Sequence, residues 1–370
     1  MKKIAIIGAG NAGCISALHF YYYSHDKYEI EIYHSPGEHP IERVGQGTVV
    51  PPAGLIASVL DLNWYAPENL IGATFKSGIL YEGWGKSKDE FFHPFPMTNM
   101  SMHYVPQKLS NAVLESGLFK VKQQTINDPE KEIDADIIID CRGRHNRDKD
   151  NYEQLINPLN ACLLCRKEGR DNDLIYTRTV ATPDGWTFVV PNQDSTSYGY
   201  LYNNKITSKE EATYNMMELF DVEPDSDFSF NNYIAKSVWK GERTILNGNM
   251  LAFLEPLEAT SGHLYMETAS NVWKNIIQKS LTRDEVDKKV HELMWKIETF
   301  VLWHYQNGSK YDTPFWKYAK SLPFNPPKEF TEIVDTVNKK TRNEIIQNTD
   351  YYAIWQPYSF KNWTEGSWYR

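Results

Sequence analysis

Six residues near the start of the chain, Gly8-Ala9-Gly10-Asn11-Ala12-Gly13, constrain its fold most. They follow the apolar run Lys3-Ile4-Ala5-Ile6-Ile7 and precede an apolar stretch from Cys14 to about Tyr22, and a second strand-like run covers 29–33. Strand, glycine turn, helix and strand in that order turn a G-x-G-x-x-G into a dinucleotide-binding unit. Gly8 permits the tight turn, Gly10 lets the backbone approach a pyrophosphate, and Gly13 lets the helix pack close to the strand. The helix start, with Ala12 in its first turn, offers unpaired N–H groups and a positive dipole end to the phosphate. Such a unit expects an acidic residue at the end of its second strand, bound to a ribose hydroxyl. Here that place reads Tyr33-His34-Ser35, and His34 is the side chain that can hydrogen-bond a ribose.

Composition narrows the partners. The 370 residues suffice for two domains or one elaborated fold. A net charge of -9 argues against nucleic acid or an anionic membrane as partner. No apolar run is long enough to span a bilayer, and the N-terminus enters a strand with no signal-peptide pattern. The four cysteines do not form a disulfide framework at this length, and Cys162-x-x-Cys165 lacks the second pair a structural zinc site requires. The expectation is a reduced, cytoplasmic chain with no metal. Aromatic residues make up 14% of the chain, which suits either an aromatic-lined pocket or large cores.

Further along, residues 44–52 form a glycine-punctuated loop that either lies along a cofactor or only connects, and Pro51-Pro52 opens an apolar helix. Residues 74–84 read as one strand, with Phe75, Ile79 and Tyr81 suited to a half-buried surface. Lys76 near its start is either a solvated edge charge or an amine aimed into a cavity, where burial would disfavour its charge. In Phe91-Phe92-His93-Pro94-Phe95 the histidine is either a packed one or part of a ring pair that stacks on a planar ligand. Residues 105–118 are amphipathic. Residues 136–143 read as a buried parallel strand ending in a glycine turn, returning to the sheet begun by the first strand. That return is the layout of a flavin-binding fold with two dinucleotide units. Residues 158–205 alternate as an antiparallel sheet laid over the cofactor domain, 208–220 read as a helix, and 227–247 as further strands. An apolar strand then ends in the carboxylate-rich turn Glu255-Pro256-Leu257-Glu258-Ala259-Thr260, and a helix runs on from about Ser261. Beyond 283 the pattern is helical, with Trp295, Leu302 and Trp303 as a core stripe, and 355–368 read as aromatic and irregular.

Thr74-Phe75-Lys76 with Trp84 downstream, residues 253–260, Asp140-Cys141-x-Gly143 and the glycine turn together resemble the flavin-dependent tryptophan halogenase family, in that family's order. The resemblance runs over roughly 1–280 and does not extend to the remaining residues. It implies an α/β architecture: an FAD-binding two-dinucleotide, glutathione-reductase-like fold with an added antiparallel sheet and a helical C-terminal region. The expected core spans 1–280, with a β-rich insertion at about 155–245, and a helical region spans 281–370. By resemblance, Lys76 and Glu258 are the catalytic amine and carboxylate. Gly8, Gly10, Ala12, Gly13, His34, Gly47, Val49, Gly143 and Gly248 bind the cofactor. Thr260, Ser261 and Gly262 bind halide, and His93, Phe95 and Trp186 hold the aromatic substrate. Two departures stand out: the family's W-x-W-x-I-P is Trp186-x-Phe188-x-Val190-Pro191, and its serine after the glutamate is Ala259.

The implied activity is that of an oxidoreductase of the monooxygenase class. Reduced FAD from a separate flavin reductase, with O2 and halide, gives hypohalous acid. The acid is guided to Lys76 for electrophilic halogenation of an electron-rich indole or phenol. Glu258 would polarise the oxidant and stabilise or deprotonate the cationic ring. Alternatives are an FAD-dependent aromatic hydroxylase and a flavin-binding protein without halogenase activity. The expected partners are a small aromatic substrate and the reductase, with a homo-oligomer allowed.

Overall fold

The computed structural model describes residues 2–24, 27–36, 44–63, 66, 68–85, 89–95, 101–143, 149–169, 174–345 and 352–367. The apolar run behind the glycine turn forms the strand Lys2–Ile7, in the middle of a five-stranded sheet. Its neighbours are Tyr28–His34 on one side and Ile137–Asp140 on the other, with Lys120–Gln123 and Thr244–Leu246 at the edges. Every pairing is parallel. Ile4, Ala5 and Ile6 are fully buried, as expected for a central strand covered on both faces. Ile7 stands opposite Asp140, so the later strand does return beside the first and the two glycine turns share one end of the sheet.

A second sheet of seven strands runs Ser226–Ser229, Ala161–Glu168, Ser195–Tyr202, Gly185–Pro191, Thr177–Thr182, Gly78–Glu82 and Glu90–Pro94. It is antiparallel except where Gly78–Glu82 lies parallel to Thr177–Thr182. This corrects the reading of 74–84 as one strand. Thr74–Lys76 pairs instead with Ser101–Tyr104 in a small three-stranded sheet with Gln46–Gly47, and the chain changes sheet at Ser77. Ser77 is tied by N–H and hydroxyl to the Ile175 carbonyl, at 2.7 and 2.9 Å. Gly78 meets the next strand so closely that a Cβ there would lie 2.3 Å from the His93 carbonyl oxygen. The change of sheet sends Phe75 outward, 38% exposed, and Lys76 inward.

Two large apolar cores result. One lies between the parallel sheet and the helices Asn11–Ser24, Val50–Val59, Pro106–Glu115 and Ser261–Ile276. The other joins the seven-stranded sheet to the C-terminal helices through Tyr81, Trp84, Phe300, Trp303, Trp316 and Trp363. The helix Arg283–Asn307, started by a Thr282/Glu285 capping box, serves both: Val286, Val290 and Met294 in the first, Ile297, Phe300 and Val301 in the second. Leu302 and Trp303 are buried as expected, but Trp295 is 62% exposed. It follows Met294 by one residue, about 100° round the helix, and so falls off the inward stripe. The tail is also more regular than expected: Pro357–Ser367 is a helix, with Phe360, Trp363 and Thr364 inward at helical spacing. Trp368 lies outside the described residues. Among the described residues no helix is long and apolar enough to cross a membrane.

Candidate functional site

The glycine turn is built for close approach. Gly8 has φ +103°, its N–H donates to the Tyr33 carbonyl at 2.7 Å, and a Cβ on it would lie 2.6 Å from the Cys141 carbonyl oxygen. A Cβ on Gly13 would lie 1.8 Å from the Gly8 oxygen, and one on Gly248 would lie 2.4 Å from the Ala12 methyl. Gly143 closes the neighbouring strand end with φ +86°, and His34 is half-buried at the end of its strand. Asn11, at the start of the 14-residue helix, donates to Gln46 Oε1 at 2.6 Å, while its own Oδ1 is buried without a partner. A bare-backbone turn at an open helix start, with an orphaned buried amide oxygen beside it, fits a dinucleotide's pyrophosphate and neighbouring polar groups.

Gln46, the acceptor of Asn11, is on the wall of a cavity of about 250 Å³. Gly45 and Gly47 line it with Asn249, Thr260 and Ser261, the rings of Trp186 and Phe188 line it with Glu255, and it reaches both Lys76 and Glu258. Val49 lies just beyond Gly47, half-buried at the start of Val50–Val59. Gly262 is off the cavity wall, facing Pro52 and Ile15. Phe188 crosses over Gly199 on the adjoining strand, where any Cβ would meet the ring at 2.1 Å.

Lys76 is 1% exposed. Its ammonium donates to the Thr48 carbonyl at 3.1 Å, an oxygen that also accepts from the Ser101 hydroxyl at 2.6 Å. Nζ stands 5.1 Å from the centre of the Phe95 ring, and a Cβ on Gly47 would come within 3.0 Å of it. Burial pulls the Lys76 pKa down to about 8, with the charge of Glu258 opposing. His93 is buried, and burial lowers its pKa too. His93 and Phe95 meet edge to face at 6.1 Å, off the cavity wall.

Glu258 is reached differently. Glu258 and Ala259 are successive non-glycine residues at positive φ, 71° and 54°. Such a conformation costs on the order of 1–3 kcal/mol per residue and is kept where the surroundings over-determine it. The surroundings here are three donors. Oε1 accepts from the Tyr81 hydroxyl and from His304 Nε2 at 2.8 Å, and Oε2 accepts from Trp355 Nε1 at 2.9 Å. Burial pushes the Glu258 pKa up, but the hydrogen bond and charge of His304, helped by His93 and Tyr81, outweigh it and leave it at about 2. Glu255, in the same turn, shows the opposite balance: burial raises it to about 7 against hydrogen bonds from Tyr305 and the Leu257 N–H.

The structure therefore brings Lys76, Glu258, Gly47, Trp186, Thr260 and Ser261 onto one cavity, joined to the glycine turn by the Asn11–Gln46 hydrogen bond. Tyr81, His304, Trp355 and the Thr48 carbonyl hold the two reacting side chains from behind the cavity wall, and the sequence reading does not identify them. Tyr81 was in view only as a strand residue, and His304 and Trp355 lie where the sequence resemblance gave no guide. No group of acidic, histidine or cysteine side chains among the described residues could hold a metal ion. Cys162 and Cys165 enter different cores from opposite faces of their strand.

Comparison with known proteins follows the same lines. The family profile for tryptophan halogenase matches residues 3–116 and 107–369, and so continues through the tail. The chain is 21% identical over 309 residues to tryptophan 6-halogenase ThaL of Streptomyces albogriseolus, covering 75% of this chain and 55% of that one. It is 24% identical over 257 residues to tryptophan 7-halogenase KtzQ of Kutzneria sp. (strain 744), covering 64% and 47%. The chain thus spans about half the length of the curated relatives it matches. Among solved structures, MibH, a lathipeptide tryptophan 5-halogenase, superposes with a TM-score of 0.81 at 17% identity, over 98% of this chain and 85% of that one. A tryptophan halogenase from Shewanella frigidimarina NCIMB 400 gives 0.80 at 17%, over 100% and 89%. The matched profile covers both the glycine turn and the turn that carries Glu258, and the chain belongs to the tryptophan halogenase family.

Proposed function

We propose that this protein is a flavin-dependent halogenase acting on an electron-rich aromatic ring of the indole or phenol type. The observation that carries the reading is one buried amine and one buried carboxylate lining a single cavity, whose wall residue Gln46 is hydrogen-bonded to Asn11 of the dinucleotide turn. FAD would be held by Gly8, Gly10, Ala12 and Gly13, with His34, Gly47, Val49, Gly143 and Gly248 around it. When bound in its reduced form it supplies, with O2 and halide, hypohalous acid. Thr260 and Ser261 stand at the start of the 16-residue helix Ser261–Ile276, where free N–H groups suit a halide. Gly262 contributes backbone only.

Lys76 then works as an amine. Its lowered pKa leaves part of it uncharged near neutral pH, so its lone pair takes the halogen from hypohalous acid and releases water. The aromatic ring attacks the halogen as the nitrogen–halogen bond breaks, and the ring proton passes by way of Glu258 to the lysine nitrogen, which restores the amine. The ionised Glu258 stabilises the positive ring before that proton is lost. His93 and Phe95, off the cavity wall but beside the Lys76 amine, would orient the substrate from that side, and Trp186 with Phe188 would screen it from the flavin. A separate flavin reductase would supply the reduced cofactor. The four described cysteines are all free and buried, which suits a reducing, cytoplasmic setting.

The test is mass spectrometry of a pooled indole and phenol library with a flavin reductase and chloride, bromide or iodide in turn. Halogenated product that requires halide and disappears in Lys76→Ala supports the reading. Hydroxylated product formed without halide would replace it with an aromatic hydroxylase. Bound flavin with no product from any substrate would replace it with a non-catalytic flavin protein.

A further inference from the structure

The partners of Glu258 carry an inference about a residue outside the reacting set, and it rests on the halogenase reading above. His304 is fully buried in the helix Arg283–Asn307. Its Nδ1 lies 2.7 Å from the Phe300 carbonyl oxygen, one helical turn back, and its Nε2 lies 2.8 Å from Glu258 Oε1. Both neighbours are acceptors. A neutral imidazole has one N–H and can satisfy only one of them; the imidazolium satisfies both. Glu258 meanwhile receives the Tyr81 hydroxyl and the Trp355 N–H as well, so every partner it has is a donor and its carboxyl needs no proton of its own. The rings of Trp363, at 4.0 Å, and Phe300, at 5.1 Å, pack on the imidazole and keep water away.

We propose that His304 is a positioning residue, held as an imidazolium against the Glu258 carboxylate, that fixes where the carboxylate points and keeps it ionised through the reaction. The titratable groups acting on the pair are Lys76, His93, Glu255 and Tyr81, with Arg342 reaching it through His93. Once the Lys76 amine is neutral, an imidazolium at His304 is the cation in direct hydrogen-bond contact with Glu258. The low Glu258 pKa agrees with this arrangement. The family reading assigns Glu258 a role, and His304 explains how a carboxyl buried among tryptophans can still be an anion.

Two readouts separate this from a packing role. Nitrogen-15 NMR of histidine-labelled wild-type protein at about pH 8 should show His304 with both nitrogens protonated, as its two acceptors require. Glu258→Gln should return it to one proton. A singly protonated His304 in the wild type overturns the proposal, whether or not any substrate is turned over. In the halogenation assay, His304→Gln should lower kcat about 10²-fold with KM for the aromatic little changed, the scale of a misplaced reacting group. It should also bring an acidic limb into the rate–pH profile as the Glu258 pKa rises. A loss uniform across pH would mean that His304 only fills space, and would overturn the proposal. If wild type makes no halogenated product, the halogenase reading fails, and the NMR result still decides the pair.

Discussion

The two sides of the cavity hold their reacting groups in opposite ways. Lys76 sits on a three-residue strand, and its ammonium has a single hydrogen bond among the described residues, to a carbonyl already shared with Ser101. Glu258 sits in a strained turn and is gripped by donors from three separate elements. One side buries a cation with little to favour its charge, and its pKa falls to about 8. The other buries an anion with much to favour it, and its pKa falls to about 2. Burial alone would have neutralised both groups. The difference teaches that hydrogen bonding, and not depth, decides which group keeps its charge. It leaves a nucleophilic amine facing a fixed negative charge.

Removing the amine should have the largest effect. Lys76→Ala is expected to keep its bound flavin and to lose about 10³-fold or more in halogenation rate, within the range of positioned acid–base and nucleophilic groups. Lys76→Arg should not rescue it, since a guanidinium stays charged. A loss below tenfold would break the contrast at its first term. Glu258→Gln keeps shape and one acceptor while removing the charge, and is expected to cost about 10²–10³-fold, with peroxide release from reduced flavin unchanged. The wild-type rate should rise with pH through about 8 and then level, because deprotonating Lys76 makes the amine. Stability follows the same direction. A lysine whose folded pKa is depressed binds fewer protons than the unfolded chain, so stability rises with pH between about 8 and the ordinary 10.5. A rate that falls through pH 8 would mark the ammonium as the working form.

Weaker still should be the loss of one clamp. Trp355→Phe keeps the ring stacked on Phe300, at 3.9 Å, and removes only the N–H to Glu258. A hydrogen bond to a charged group is worth roughly 1.5–3 kcal/mol, so a rate loss of about 10- to 10²-fold is expected, read as kcat with bound flavin unchanged. An effect equal to that of Glu258→Gln would mean that the three donors work only as a unit.

The dinucleotide turn was legible because its strand, turn and helix are contiguous in the chain. The sheet return at 136–143 was legible because apolar strands ending in glycine have few other uses. The clamp on Glu258 was not, because its donors come from 177, 46 and 97 residues away in sequence. No local pattern marks Tyr81, His304 or Trp355 as facing one carboxylate. The change of sheet at Ser77 was hidden for a different reason. The polar and apolar order of 74–84 suits one strand, and what breaks it is the Ile175 carbonyl, supplied from another part of the fold. Trp295 shows how one residue of helical phase moves a tryptophan from core to solvent.

The smallest effect is expected one residue from the largest. Phe75 pairs with Met102 across the same short strand that carries Lys76, but its side chain points out and is 38% exposed. Successive residues of a strand face opposite sides, so Phe75 shares the backbone of Lys76 and none of its cavity. Phe75→Ser should change stability by no more than about 0.5 kcal/mol, and rate by no more than about twofold, as for an exposed site away from any cap or buried network. Thermal unfolding and the library assay run beside Lys76→Ala would read both. A rate loss for Phe75→Ser approaching that of the lysine variant would show that the strand as a whole, and not the inward amine, carries the effect. A neutral result confines it to the one side chain that the turn at Ser77 sends inside.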